Sequence, residues 1–411
     1  MNLRYIINAI RRFGAKGIID YFLRKPKERA FRKYLKSTLR NEAPERGVTL
    51  LACFDYPGSL SKVMRDLAIM LKKAGIPYQT LNIPCNKPIP ANETQAFLTI
   101  KDDFCVNRYT HIITMRTPML SPDNRCSVYG IEFWEFDSGF TEGCPEALKL
   151  QNILALSDFN IAVFRKSLPQ SIRVSKALYP FQFEHKTLIP HEETRMKYGI
   201  GTNDFVAFFN FDYSSSYFRK NPEGILKAFA KAFGDKTDAK VVFKTMRALK
   251  CKAMSDRLHA MAEELGLGKK LVTIDSFIPQ EDLVNLTDAC DVYISLHRGE
   301  GFGLGIAEAM SLGKPVIVTN YSSTTEFCKL DNSIPIPYTI VTVHPDQVDN
   351  ETYRKVSTWA EPDYDSAAEA LLRLYNNPGL RAKLGAAAKN FIEDYFSVEN
   401  FKRSIDAFLD T

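Results

Sequence analysis

The stretch Val292-Tyr293-Ile294-Ser295-Leu296-His297-Arg298-Gly299-Glu300-Gly301-Phe302-Gly303-Leu304-Gly305-Ile306-Ala307-Glu308 decides the reading of this chain. The apolar run at its start predicts a strand buried on both faces. The glycine-rich loop over 297–303 follows, and then a short helix over 304–312. That helix is stopped by Gly313-Lys314-Pro315, and an apolar run at 316–319 predicts the next strand. A glycine-rich loop at the carboxyl end of a parallel strand lets a ligand come close to the backbone. The helix behind it offers free N–H groups and the positive end of its dipole, which suits a phosphate. Glu300 and Glu308 lie in that loop and helix. Carboxylates repel phosphates, so their natural partners are hydroxyls. A ligand with a diphosphate in the middle and hydroxyls at both ends is a nucleotide-sugar. An isolated pair of glutamates would read as exposed carboxylates; the strand, loop and helix around this pair change that.

Outward from this stretch, strands are expected at 205–211, 240–245 and 271–276, with a helix started by Asn221-Pro222 and ended at Gly234. Upstream, an apolar run at 48–54 predicts a buried strand. The loop Asp55-Tyr56-Pro57-Gly58-Ser59 leads from it into a helix marked by Leu60, Val63, Met64, Leu67, Leu71 and Ala74. Further strands are expected at 76–83, 109–115, 127–131 and 159–163. Strand and helix alternation at this spacing implies parallel sheets wrapped by helices. The expected organisation is a basic helical extension at 1–46, an acceptor-side domain at 47–190 and a nucleotide-sugar-binding domain at 191–395. A last helix at 396–411 is free to pack back on the first domain. The architecture is α/β, two doubly wound Rossmann-like domains facing a cleft.

Composition agrees with a folded, non-membrane chain. The 411 residues are 45% hydrophobic and 25% charged, which excludes a disordered or collagen-like protein. No apolar run reaches the roughly 18 residues needed to span a bilayer. Arg4, Arg11, Arg12 and Lys16 break up any secretory signal. The eight cysteines show no metal or disulfide spacing and fit free thiols in a reducing cytosol. None of the six histidines has metal spacing either. Residues 1–46 hold 13 Lys/Arg against 4 Asp/Glu, a balance of +9 that leaves −3 for the rest. Tyr5, Ile6, Ala9, Ile10 and Phe13 recur there at helical spacing among the basic residues. That pattern suits either an interfacial helix on a membrane surface or a helix packed on its own domain. No nucleic-acid partner is expected.

Glu300 and Glu308 form an E-x7-E motif, followed by Ala309-Met310 and Gly313-Lys314-Pro315-Val316-Ile317. This resembles the retaining nucleotide-sugar glycosyltransferases of family 4, which have the GT-B fold. The resemblance covers most of 195–395. Arg219-Lys220-Asn221-Pro222, Ile131-Glu132-Phe133-Trp134-Glu135 and Trp359-Ala360-Glu361-Pro362-Asp363 match its bacterial surface-glycan branch. Residues 1–46 have no counterpart.

The resemblance implies roles. Glu300 would hold hydroxyls of the donor sugar, and the backbone of Gly301, Phe302, Gly303 and Leu304 would lie along sugar and diphosphate. Glu308 would hold the ribose. Lys220, with Arg219, would neutralise the diphosphate as it leaves, so no metal and no cofactor are expected. Gly58 and Ser59 would lie near the diphosphate. Lys244, Thr245 and Ile278 end or follow strands and are donor-side candidates, although each also reads as an ordinary strand-end or core residue. Arg116, Trp134, Glu135 and Asp137 follow first-domain strands and are acceptor candidates. For Trp134 the plain alternative is core packing, and for Asp137 a helix cap.

The family's arginine ahead of the diphosphate lysine is replaced by Ser214, with Arg219 or Arg298 as substitutes. The implied activity is retaining transfer of a hexose to a surface polysaccharide or lipid-linked saccharide, at the inner face of the cytoplasmic membrane. Mannose is placed ahead of other hexoses by analogy. The other readings are an epimerase or phosphorylase on the same fold, or a non-catalytic partner of another transferase.

Overall fold

The computed structural model describes residues 33–55, 58–83, 105–115, 125–183, 188–234, 236, 238–349 and 351–410. They form two six-stranded sheets, both fully parallel, and a separate two-stranded ribbon. The first sheet comprises β1 (Glu45–Ala52), β2 (Tyr78–Asn82), β3 (Tyr109–Met115), β4 (Ser127–Ile131), β5 (Asn152–Ala155) and β6 (Arg173–Lys176). Its order is β2-β1-β3-β4-β5-β6. The run predicted as buried on both faces is so: Val48, Thr49, Leu50 and Leu51 are inaccessible. α1 (Ser59–Lys73) follows β1 and buries Val63, Met64, Leu67 and Leu71 on one face. Gly75, at φ 69°, turns the chain out of it.

The strand expected at 159–163 is instead part of α2 (Asp158–Ser167), and β5 just before it supplies the strand. The cause is local. The Ser157 hydroxyl accepts the Asn160 N–H at 3.2 Å, an N-cap that starts the helix despite the apolar, β-branched residues inside it.

The second sheet comprises β7 (Phe205–Asp212), β8 (Ala239–Met246), β9 (Leu271–Asp275), β10 (Val292–Ser295), β11 (Val316–Thr319) and β12 (Ile334–Ile336). Its order is β12-β11-β10-β7-β8-β9. Helices α3 (His191–Lys197), α4 (Pro222–Phe233), α5 (Lys252–Glu264), α6 (Gln280–Asp288) and α7 (Leu304–Ser311) accompany these strands. The ribbon pairs β13 (Tyr338–Thr342) with β14 (Thr358–Pro362) antiparallel. The chain closes with α8 (Tyr364–Asn376), α9 (Pro378–Tyr395) and α10 (Val398–Leu409).

α10 returns to the first sheet. Phe408 packs edge-on against Tyr129 at 4.7 Å and beside His111 at 5.0 Å. The Ser404 hydroxyl accepts the Leu178 N–H, and Arg46 pairs with Asp406 and Asp410. Leu35, within the stretch read as an extension, is buried with Leu51, Val106 and Ile112. The amphipathic pattern of residues 1–32 lies outside the described residues. No helix among the described residues is long and apolar enough to cross a membrane.

Candidate active site

In a doubly wound sheet, ligands bind beyond the carboxyl ends of the strands, where the strand order reverses. In the second sheet that point lies between β7 and β10, which pair through Ala207–Val292 and Phe208–Tyr293. The loop after β7 supplies Arg219 and Lys220, and the loop after β10 supplies Glu300. The topology therefore brings together residues 80 positions apart: Lys220 Nζ donates to Glu300 Oε1 at 2.5 Å. Arg219 Nη1 stands 3.4 Å from Glu300 Oε2. Burial alone pushes the Glu300 carboxyl up. The two cations more than offset this and hold it at about 2. Burial lowers Lys220 from its ordinary value, although Glu300 opposes the shift.

Backbone geometry aims these groups. Asn221, in the left-handed region at φ 55°, caps α4 through the Gly224 N–H at 3.1 Å. Its amide also donates to the Leu296 carbonyl at 2.8 Å, fastening the Lys220 turn to the end of β10. Gly303, at φ 94°, starts α7, and a Cβ there would meet Thr324 Cγ2 at 2.7 Å. A glycine offers no capping oxygen, so the first N–H groups of α7 have no side-chain cap. α1 of the first domain likewise begins at a glycine, Gly58, without a side-chain cap. Gly58 and the exposed Ser59 thus stand at that helix start.

Glu308 lies on α7, and burial raises its carboxyl to about 7, with Lys62 opposing and Asp66 adding to the shift. Those two residues lie on α1 and form their own ion pair at 2.6 Å. The two helices are therefore neighbours across the cleft. Burial raises the phenol of Tyr293 of β10, and the charges of both glutamates add to the shift. The Tyr293 hydroxyl donates to Asn210 Oδ1 at 2.6 Å, beneath Gly305, where a Cβ would meet that hydroxyl at 2.5 Å.

Several expected residues take other places. Trp134 is in the core: its indole packs edge-on to Phe136, Phe140 and Tyr353, and its Nε1 donates to the Ser138 carbonyl. It is thereby removed as an acceptor contact, because the side chain is buried and its hydrogen bond is used internally. Arg219 is a brace as much as a charge. Nη1 donates to the Gly299 carbonyl and Nη2 to the Ser215 carbonyl, both at 2.8 Å. Arg298 is held by a two-pronged pair with Glu361 at 2.6 and 2.9 Å and lies over Trp359, so it does not stand in for the missing arginine. Thr245 donates to Asp275, tying β8 to β9. Ile278 is half-buried at the core margin, beside Phe277, which is 74% exposed. Phe302 stacks flat on Tyr179 at 3.5 Å, so only its backbone is left to a ligand.

Lys244 is buried, its amine is lowered by burial, and it finds no hydrogen-bond partner among the described residues. The Glu135 carbonyl abuts Gly299, where a Cβ would meet it at 2.4 Å, and the charge of Glu135 acts on Arg219 and Lys220. Asp137 Oδ1 is buried without a partner, and Asp137 caps no helix, since Gly139 precedes the next turn. Arg116 lies outside the described residues. His297 is fully buried, with Nε2 3.2 Å from Thr324 Oγ1, and burial lowers its ring to about 3. No cluster of three or more metal-ligating side chains occurs among the described residues.

Known proteins resemble parts of this sequence and share its fold. Residues 192–334 match the family model described as Glycosyl transferases group 1. The chain is similar to the HepE protein of Anabaena, solved with UDP and glucose: TM-score 0.59 and 15% identity, over 89% of this chain and all of that one. A glycosyltransferase from Rickettsia africae superposes with TM-score 0.59 at 14% identity, over 89% of this chain and 98% of that one. Sucrose-phosphate synthase from Thermosynechococcus elongatus gives 0.59 at 13% identity, over 89% and 98%. A stretch of 85 residues, 21% of this chain, is 27% identical to the serotype-specific mannosyltransferase WbdA of Escherichia coli. It spans about a tenth of that protein's length. The fold is the two-domain GT-B fold of these structures.

Proposed function

We propose that this chain is a retaining glycosyltransferase that moves a hexose from a nucleoside diphosphate sugar to a saccharide hydroxyl. One observation carries the reading. Glu300 is held ionised by Lys220 and Arg219 at the strand-order reversal, beside the uncapped start of α7. A carboxylate held at about 2 accepts hydrogen bonds from sugar hydroxyls at any physiological pH. The α7 N–H groups and Lys220 offer the donors and positive charge that a departing diphosphate needs. Glu308, eight positions on, would hold the ribose. A charge set of this kind does the work often given to a divalent cation, so transfer is expected to persist in a chelator. Retention then proceeds by attack on the face the diphosphate leaves, the leaving phosphate oxygen taking the acceptor proton. No side-chain nucleophile is required.

Acceptor contacts fall to Glu135 and Asp137 on the opposite domain. The short likeness to a mannosyltransferase favours mannose as the sugar and a surface polysaccharide or lipid-linked saccharide as the acceptor. A lipid-linked acceptor suits a chain working at the inner face of the cytoplasmic membrane, with residues 1–46 on the lipid.

The test is release of nucleoside diphosphate from GDP-mannose, UDP-glucose and related donors, with and without EDTA. At least one donor should be turned over by the native chain and not by Lys220→Ala. A native chain inert toward every donor, and unshifted in melting by UDP, GDP, ADP or dTDP, would falsify the reading.

A further inference from the structure

The segment after β11 touches both the glycine-rich loop and the first domain. It runs from Tyr321 into a single helical turn, Ser322–Glu326, and Ser322, Ser323 and Thr324 are buried. On one side it holds the loop that carries Glu300. The Ser322 hydroxyl accepts the Glu300 N–H at 2.8 Å, and the Ser323 N–H reaches the Glu300 carbonyl at 3.4 Å. Thr324 Oγ1 stands 3.2 Å from His297 Nε2, and its methyl group lies where a Cβ on Gly303 would meet it at 2.7 Å. Three consecutive residues thus hold the glycine-rich loop at its start, its middle and its end.

On the other side the same turn grips the first domain. The Ser323 hydroxyl lies 2.9 Å from that of Ser157, and both are buried. Tyr321 packs edge-on against Phe159 at 5.6 Å. Glu326, whose side chain is 12% exposed, closes the contact. Its Oε2 accepts the Asp158 N–H at 2.9 Å, at the start of α2, where a helix favours negative charge. Its Oε1 accepts Lys176 Nζ of β6 at 2.7 Å, and Lys176 also pairs with Asp158. Tyr395 of α9 donates to the same oxygen at 3.1 Å.

We propose that Glu326 is a positioning residue: by clasping the first domain it holds Ser322 and Ser323 where they set Glu300, so that this carboxylate is in place only while the two domains are closed on each other. The inference rests on the sugar-binding role proposed for Glu300. Strain supports the coupling. Ser322 lies in the left-handed region at φ 62°, which a residue other than glycine adopts at a cost. The clasp on one side and the bond to Glu300 on the other hold it there. With Glu326 released, the Ser322 backbone is free to relax, and its hydroxyl turns away from the Glu300 N–H. The Lys220 turn keeps its own tether through Asn221 and the Leu296 carbonyl. Binding of a nucleoside diphosphate, which needs no sugar contact, is thereby separated from transfer, which needs Glu300. The same device keeps a donor bound in an open cleft from being spent on water.

Glu326→Ala and Lys176→Met, made in the full chain, test the clasp from its two sides. Each should lower donor turnover about tenfold. Glu326→Gln, which keeps an acceptor for the Asp158 N–H, should fall between them and the native chain. UDP and GDP should bind each variant with nearly native affinity. Joined in one chain, the first two changes should lose no more than Glu326→Ala alone, as partners in one contact do. In amide exchange the Glu300 N–H should exchange about tenfold faster in both, while the amides of β8, on the far side of β7, keep native rates. Exchange needs no turnover, so it judges the clasp even where the proposed reaction fails. Native turnover in both variants, or nucleotide affinity that falls as far as turnover, overturns the proposal. So does a Glu300 amide that exchanges at the native rate, or amides that quicken alike throughout both sheets.

Discussion

The two domains meet the cleft with the same kind of edge and furnish it differently. At the reversal in the second sheet, a lysine and an arginine each lie within 3.4 Å of one carboxylate, next to an uncapped helix. At the corresponding place in the first sheet, the described residues offer Gly58, an exposed hydroxyl at Ser59 and, one turn on, the Lys62–Asp66 pair. On the proposed reading, the difference follows from what each side must hold. The donor always presents the same charged diphosphate, so its side is built of fixed charges. Acceptors differ in shape, so their side is built of backbone turns and single polar groups.

The largest expected effect tests that asymmetry directly. Lys220→Ala leaves the buried Glu300 carboxylate without its nearest cation and the diphosphate without its charge. Donor turnover should fall about a thousandfold, and Glu300→Gln should lose about a hundredfold. No single change in the first domain should cost as much; one that did would erase the contrast. Phe408→Ala should be the strongest purely structural change, destabilising the first domain by about 3–5 kcal/mol. In a thermal melt, that domain should unfold ahead of the second.

Glu308 gives a pH signature. Its carboxyl is raised to about 7 in the fold, and Asp66 is raised to about 6 by burial. Between the ordinary glutamate value near 4.3 and about 7, the folded state binds more protons at Glu308 than the unfolded chain does. This carboxylate therefore costs stability as pH rises through that window and costs nothing below it. Glu308→Gln should melt a few degrees above the native chain at pH 8, and the gap should close by pH 5. A gap that is the same at both pH values would contradict the burial of Glu308 against α1. The smallest effect is expected at the acceptor side, where Asp137→Asn should raise the acceptor KM about three- to tenfold and leave donor affinity unchanged.

Much of this was legible in the residues, for a definable reason. Glu300, Glu308 and Lys220 sit where glycines, a proline-started helix and a strand end announce a turn, and turns are local. Trp134 was not legible, because an aromatic after a strand looks the same whether it faces a cleft or a core. Three further aromatics gathered by the fold decided it. The helix at 158–167 is hidden in the sequence, because Phe159, Ile161 and Val163 read as a strand and a single serine, Ser157, is the only local sign of its cap. The Tyr293–Asn210 bond joins residues 83 apart and depends on strand order, which spacing does not reveal. One sign was present: Asn210 is a lone amide in a strand that is otherwise apolar up to its terminal Asp212. Arg219 and Arg298 are alike on paper, and only their partners separate a brace at the glycine loop from a clamp on Glu361.

The return of α10 to the first sheet has a consequence for biosynthesis. Residues 398–409 leave the ribosome after the whole second sheet, yet they roof the ground floor around Tyr129 and His111. Until they arrive, the half of the molecule made first waits with greasy surface uncovered. A premature stop a dozen codons from residue 411 would thus show itself as aggregation of the opposite end.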